Sequence, residues 1–306
     1  MRNHWKNIFY LIITIGVSTA CSSSTNIILE KKHERILNKS FSGDTLSISN
    51  FFNEPIEIYL PKNFSPQADY SLLIHFHGAS YVPKAAVESV NENIVLAVVN
   101  LGIGSSVYEK PFFDKSTFPK LIDTIYSCLQ SNYQIKNKIT KTFLTSFSAG
   151  YGAVRRILQY HENTIDGVIL MDGMHTDYVP DGVELSKGGR LNTEKLDLYL
   201  PLAESAISSK KIFIISHSDI YPATYASNKE TSDYIIKKLN LERKANNKIN
   251  LIGMHQTSEV CAGKFFVLGF DGNSAKDHVD HYHAMPFYLC KLFDCKYFLI
   301  PDFMKQ

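Results

Sequence analysis

The sequence predicts an α/β fold, a mostly parallel central sheet with helices on both faces. Three observations predict it. Short runs rich in Val, Ile and Phe alternate along the chain with segments whose apolar residues recur at helical spacing. Some runs, "NIVLAVVNLG" from Asn93 among them, are apolar throughout, as strands buried on both faces require. The residues that end these runs are glycine, serine, aspartate and histidine, placed at the carboxyl edge where such sheets bind ligands.

The elements follow in order. "IEIYLP" from Ile56 and "YSLLIHFHG" from Tyr70 read as strands, followed by the buried run from Asn93. "FPKLIDTIYSCLQSNY" then sets Leu121, Ile122, Ile125 and Leu129 at helical spacing. "KTFLTSF" is the next strand. "GYGAVRRILQYH" is the next helix, with Val154, Ile157 and Leu158 on one face and Arg155 and Arg156 on the other. Strands return at "DGVILMDG", "KKIFIISHSD" and "KFFVLGFDG", and the helical pattern "HYHAMPFYLCKLF" closes the chain. Its 306 residues suit one such domain with an insertion once the amino terminus is set aside.

That terminus has its own logic. Arg2 and Lys6 precede an apolar run from Ile8 to Val17, and Ser18-Thr19-Ala20 lead into Cys21. This is the pattern of a signal peptide over residues 1–20, too short for an ordinary transmembrane helix of roughly 20 residues. The approach to Cys21 resembles the lipobox of bacterial lipoproteins, with Ser18 where an aliphatic residue is usual. The resemblance implies acylation of Cys21, a membrane partner through that lipid anchor and a place in the bacterial cell envelope. Residues 21–45 are then expected as a lipidated start and polar tether, and 46–306 as the folded domain.

Composition excludes little, but it excludes something. A formal charge of +2 without a basic, aromatic-laced stripe argues against nucleic acid as a partner. Beyond Cys21, Cys128, Cys261, Cys290 and Cys295 remain, an even number that an exported chain permits to pair. No spacing among them points to structural zinc, and no metal or cofactor is expected.

Collected at one sheet edge, His77-Gly78-Ala79, Ser148, Asp172, Asp219 and His278 are the ingredients of nucleophilic acyl transfer. Ser146-Phe147-Ser148-Ala149-Gly150 resembles the Gly-x-Ser-x-Gly nucleophile elbow of the α/β-hydrolase superfamily, with Ser146 in place of the first glycine. The chain is similar to exported, esterase-like members over roughly residues 50 to 295. The resemblance implies an α/β-hydrolase fold with a lid-like insertion at about 174–209, and hydrolysis of small-molecule or polymeric carboxylic esters through Ser148. It implies an oxyanion hole from the amide of Ala149 and that of Ala79 or Gly78.

It further places the base before the last helix, which favours His278 over His281. The orienting acid is Asp219, after the next-to-last strand of the superfamily pattern, or Asp172, after the strand before it; the two stand level. His75 and His77, alternating on a strand, also fit a metal pair, though a structural role at the oxyanion loop weighs more. His283 reads as a partly exposed helix residue. Tyr178, Tyr199 and Leu200 are candidates to shape the pocket from the insertion. The rival reading is a lipoprotein that keeps this fold as a catalytically silent binding module.

Overall fold

A computed structural model describes residues 33–135, 137–250 and 252–295 of the chain; Cys21 and the leader pattern lie outside them. Strands β1 (Asp44–Ile48), β2 (Ile56–Leu60) and β3 (Tyr70–Phe76) come first. Helix α1 (Tyr81–Glu88), β4 (Ile94–Val99), α2 (Ser105–Glu109) and α3 (Thr117–Tyr133) follow, then β5 (Ile139–Phe147), α4 (Tyr151–His161) and β6 (Gly167–Met171). The insertion holds a hairpin, β7 (Tyr178–Val179) with β8 (Arg190–Leu191), and helices α5 (Glu194–Asp197) and α6 (Leu200–Ile207). The last part runs β9 (Ile212–His217), α7 (Asn228–Lys238), β10 (Lys244–Ile249), β11 (His255–Ala262), β12 (Phe265–Phe270), α8 (Ala275–His283) and α9 (Met285–Leu292).

Ten strands form one sheet in the order β1-β2-β4-β3-β5-β6-β9-β12-β11-β10. From β4 to β12 all neighbours are parallel, and antiparallel strands close both edges. The parallel strands are apolar throughout because successive residues feed two different cores. In β6, Val168 and Leu170 join the layer built with α3, α4, α6 and α7, while Ile169 and Met171 join the layer built with α1, α8 and α9. The chain therefore has the α/β-hydrolase fold, with its parallel strands all ending on one edge.

Some elements differ from the sequence reading. β10 reads "KANNKI" and is mostly exposed at the sheet edge, so nothing buried had to be written into it. The closing helical pattern is two helices, because Pro286 sits at the start of α9 and starts a new helix there. Helix α6, in the second half of the insertion, packs on β9 and β12 as part of the sheet's cover.

The expected tether also differs in its described part. From His33 on, the chain is seated on α8. His33 Nδ1 lies 2.6 Å and Arg35 Nε 3.1 Å from the two carboxylate oxygens of Asp280, which is 1% exposed. Arg35 also donates to the Lys276 carbonyl, and the Ile36 amide donates to His283 Nδ1. That contact explains why His283 is buried rather than partly exposed. Arg35→Ala should leave the buried Asp280 with one partner fewer and cost about 1 kcal/mol, discounted because Arg35 is itself 33% exposed. Denaturant unfolding of the wild type and the variant, with midpoint and slope compared, checks this.

Candidate active site

Three of the parallel strands end in residues held in the left-handed backbone region. Ser148 follows β5 at φ 45°, Asp172 follows β6 at φ 45°, and His77 follows β3 at φ 72°. Such conformations cost roughly 1–3 kcal/mol each in non-glycine residues and persist where the surroundings over-determine them. At Ser148 the surroundings are visible. A Cβ on Gly150 would stand 2.2 Å from the Phe76 carbonyl oxygen, and one on Gly173 would stand 2.3 Å from the carbonyl oxygen of Ser148 itself. The turn is clamped between neighbouring strand ends, and both contacts demand glycine. Ser146, at the first small position of the turn, is buried in β5, its hydroxyl unpartnered among the described residues.

Asp172 is 1% exposed, yet its carboxylate is fully engaged. Oδ1 accepts from the Ser218 amide at 2.9 Å and from Asn228 Nδ2 at 2.8 Å. Oδ2 accepts from Ser218 Oγ at 2.7 Å and lies 2.7 Å from His278 Nδ1. Burial pushes the Asp172 carboxyl up, but His281, His278 and the Ser218 amide outweigh it and hold the group far below the usual carboxylate range. An ionised Asp172 can only accept, so His278 Nδ1 carries a proton, which in the neutral ring makes Nε2 the acceptor.

Asp219 is placed differently. It is 44% exposed, its nearest cation is Lys229 Nζ at 4.0 Å, and its amide donates to the Gly272 carbonyl. Strand β9 ends at His217, and the next residue, Ser218, spends both its donors on Asp172, which leaves Asp219 turned toward solvent. His281 is fully buried, with Nδ1 2.9 Å from Ser216 Oγ and its ring edge-on to Phe270. His278 stands inside α8 rather than in the loop before it, because a Ser274–Asp277 capping box starts the helix at Ala275.

Phe147, the residue before Ser148, locates the histidine. Its ring lies 4.6 Å from that of His278 and 4.8 Å from that of Tyr282, centroid to centroid. Tyr282 in turn stacks on His75 at 5.3 Å and donates its hydroxyl to the Ala79 carbonyl at 2.8 Å. His75 does not face a metal: Nε2 donates to the His77 carbonyl and Nδ1 lies 2.9 Å from Thr145 Oγ1, with burial lowering its pKa to about 3. His77 is likewise engaged, its Nδ1 2.8 Å from the Tyr108 hydroxyl. The backbone N–H groups of Gly78 and Ala79 donate to no other described residue.

Ser148 and Ala149 open on a cleft of about 440 Å³ lined also by His77, Tyr151, His175 and Tyr225. Tyr178 and Tyr199 do not reach it. Both are buried, Tyr178 bonded to Glu230 and Tyr199 stacked on Phe213. Ser218, Asn228, Tyr282 and Phe147 carried no sequence signal, since each acts through a partner far along the chain.

No family model and no curated protein sequence matches the chain. Solved structures do resemble it. The enterobactin esterase of Shigella flexneri, in the presence of enterobactin, superposes with a TM-score of 0.51 at 8% identity, covering 88% of this chain and 63% of that one. A ferulic acid esterase gives 0.48 at 12% identity, covering 83% and 100%. The S-formylglutathione hydrolase of Staphylococcus aureus gives 0.44 at 12%, covering 84% and 99%. The chain thus spans under two thirds of the enterobactin esterase, and at these identities the likeness concerns the fold.

Two outcomes follow from the packing and the charge. Gly173→Ala should force the Ser148 turn to shift, costing about 1–3 kcal/mol, with a loss of Ser148 reactivity toward a fluorophosphonate larger than the loss of folded protein. Parallel labelling and circular dichroism read the two effects. A depressed carboxyl contributes stability that is complete above the unfolded range near pH 4 and is lost as pH falls below it. Asp172→Asn should therefore lose that share of the acid slope, measured by denaturant titration at pH 3 and pH 5.

Proposed function

We propose that the chain is a serine hydrolase that cleaves carboxylic esters through an acyl-enzyme on Ser148. The observation that carries this reading is the buried, four-donor Asp172 paired with His278, whose ring packs on Phe147, the residue before a serine on a clamped, left-handed turn. His278 Nε2 takes the proton from Ser148 Oγ as that oxygen attacks the ester carbonyl, and Asp172 stabilises the imidazolium without itself taking the proton. The amide of Ala149, with that of Gly78 or Ala79, receives the negative charge on the carbonyl oxygen. One such donor is worth roughly 10²- to 10³-fold in rate. The imidazolium then protonates the departing alcohol. Water, deprotonated by the same nitrogen, attacks the acyl-enzyme, and collapse of the tetrahedral intermediate releases the acid as the imidazolium returns its proton to Ser148 Oγ.

Asp172 rather than Asp219 is assigned as the acid, His278 rather than His281 as the base. We assign Cys21 as an acylated anchor at the bacterial envelope on the leader pattern alone, with mass spectrometry of the membrane-extracted protein as its test.

A fluorophosphonate probe tests the central claim. Wild type should label at Ser148, and Ser148→Ala and His278→Ala should not. Turnover of 4-nitrophenyl acetate should fall by about 10⁴-fold in Asp172→Asn, while Asp219→Asn stays within about twofold of wild type. A folded wild type that does not label would make the silent binding module the better reading.

A further inference from the structure

His175 shares the cleft with Ser148 and takes no part in the chemistry above. Its ring is locked. Nδ1 lies 2.9 Å from the Ala226 carbonyl oxygen, which can only accept, so Nδ1 bears the proton and Nε2 bears a lone pair. Tyr151 and Tyr225 pack edge-on against it, with centroids 5.6 Å and 4.9 Å away at 71° and 81°.

Burial lowers the pKa of His175, and the neighbouring His278 and Arg155 act in the same direction; the Ala226 bond and Asp172 oppose them. The ring is neutral at pH 7. Arg155 is itself spent, bonded to Glu109 and to the His175 carbonyl. Among the described residues Nε2 has no hydrogen-bond partner, and the residue stays partly exposed to the cleft. An oriented acceptor is thus held open beside the nucleophile, framed by two aromatic rings. Among the described residues no lysine or arginine lines the cleft, and the carboxylate of Asp177 does, so the lining disfavours a carboxylate or phosphate on the substrate.

We propose that His175 Nε2 is a specificity contact that accepts a hydrogen bond from a hydroxyl carried on a ring of the substrate, making ring-hydroxylated esters without an anionic group the preferred class. The proposal rests on the esterase reading of Ser148. The ring hydroxyl has two chemical sources, a phenol or an alicyclic, sugar-like alcohol, and both are donors of the kind Nε2 lacks.

Matched pairs differing in one hydroxyl provide the test. The phenolic pair is methyl 3-(4-hydroxyphenyl)propionate and methyl 3-phenylpropionate; the alicyclic pair is 4-hydroxycyclohexyl acetate and cyclohexyl acetate. Wild type should prefer the hydroxylated member of at least one pair by about 3- to 10-fold in kcat/KM, the size of one neutral hydrogen bond, and the pair that discriminates names the source. His175→Phe, which keeps a ring but no acceptor, should bring that ratio to about one, and His175→Gln, which restores an acceptor, should recover part of it. No discrimination by wild type in either pair, or a wild-type ratio retained in His175→Phe, overturns the proposal.

Binding of the same pairs to Ser148→Ala by calorimetry separates the two claims. If wild type hydrolyses neither ester but the Ser148→Ala protein binds the hydroxylated member more tightly, and loses the preference on adding His175→Phe, the esterase reading falls and the recognition stands. Equal binding within both pairs removes the recognition.

Discussion

A carboxylate kept charged in the interior is the constraint on which this structure turns. Asp172 is removed from water, and a buried carboxylate left without partners would take up a proton. It remains ionised because donors converge on it from three places: Ser218 just past β9, Asn228 at the start of α7 and His278 on α8. These elements lie 46, 56 and 106 residues further along the chain, so the charge is satisfied only when the fold is complete. Removing any one donor leaves part of a charge uncompensated, which costs more than the bond itself was worth.

Backbone strain concentrates at the same edge. His77, Ser148 and Asp172 end three adjacent parallel strands, β3, β5 and β6, and all three sit at positive φ. A strand alone would relax these residues. The sheet does not allow it, since Gly150 rests against the Phe76 carbonyl and Gly173 against that of Ser148, each turn blocking the next. Strain of a few kcal/mol is affordable only against cores as continuous as the two that sandwich this sheet.

A column of rings ties the strained turns to the helix that carries the histidine. His77 stacks on Phe147 at 6.0 Å, Phe147 on Tyr282 at 4.8 Å, and Tyr282 on His75 at 5.3 Å, with interplanar angles of 10° to 12°. The column links β3, β5 and α8, and the Tyr282 hydroxyl ends it on the Ala79 carbonyl. A shift of α8 would therefore disturb the histidine, the serine turn and the His-Gly loop together. The His33–Ile36 segment, bonded to Asp280 and His283 on that helix, braces it from the outside.

The sequence by itself determined the parallel strands and their order along the chain, because burial on both faces writes an apolar run that no neighbour is needed to recognise. It determined the small-flanked serine as well, since the crowding at Gly150 leaves its mark as a missing side chain. It left Asp172 and Asp219 level, for each is an aspartate following an apolar strand, and nothing local says which way a strand end will face. Only the tertiary structure decided that, by bringing Ser218 and Asn228 to one carboxylate and leaving the other at the surface. The edge strand β10 and the wall formed by His175 and Tyr225 were also decided there. A polar edge strand needs no hydrophobic pattern, and a pocket wall is made by residues far apart in the chain, whose chemistry depends on what the fold sets beside them.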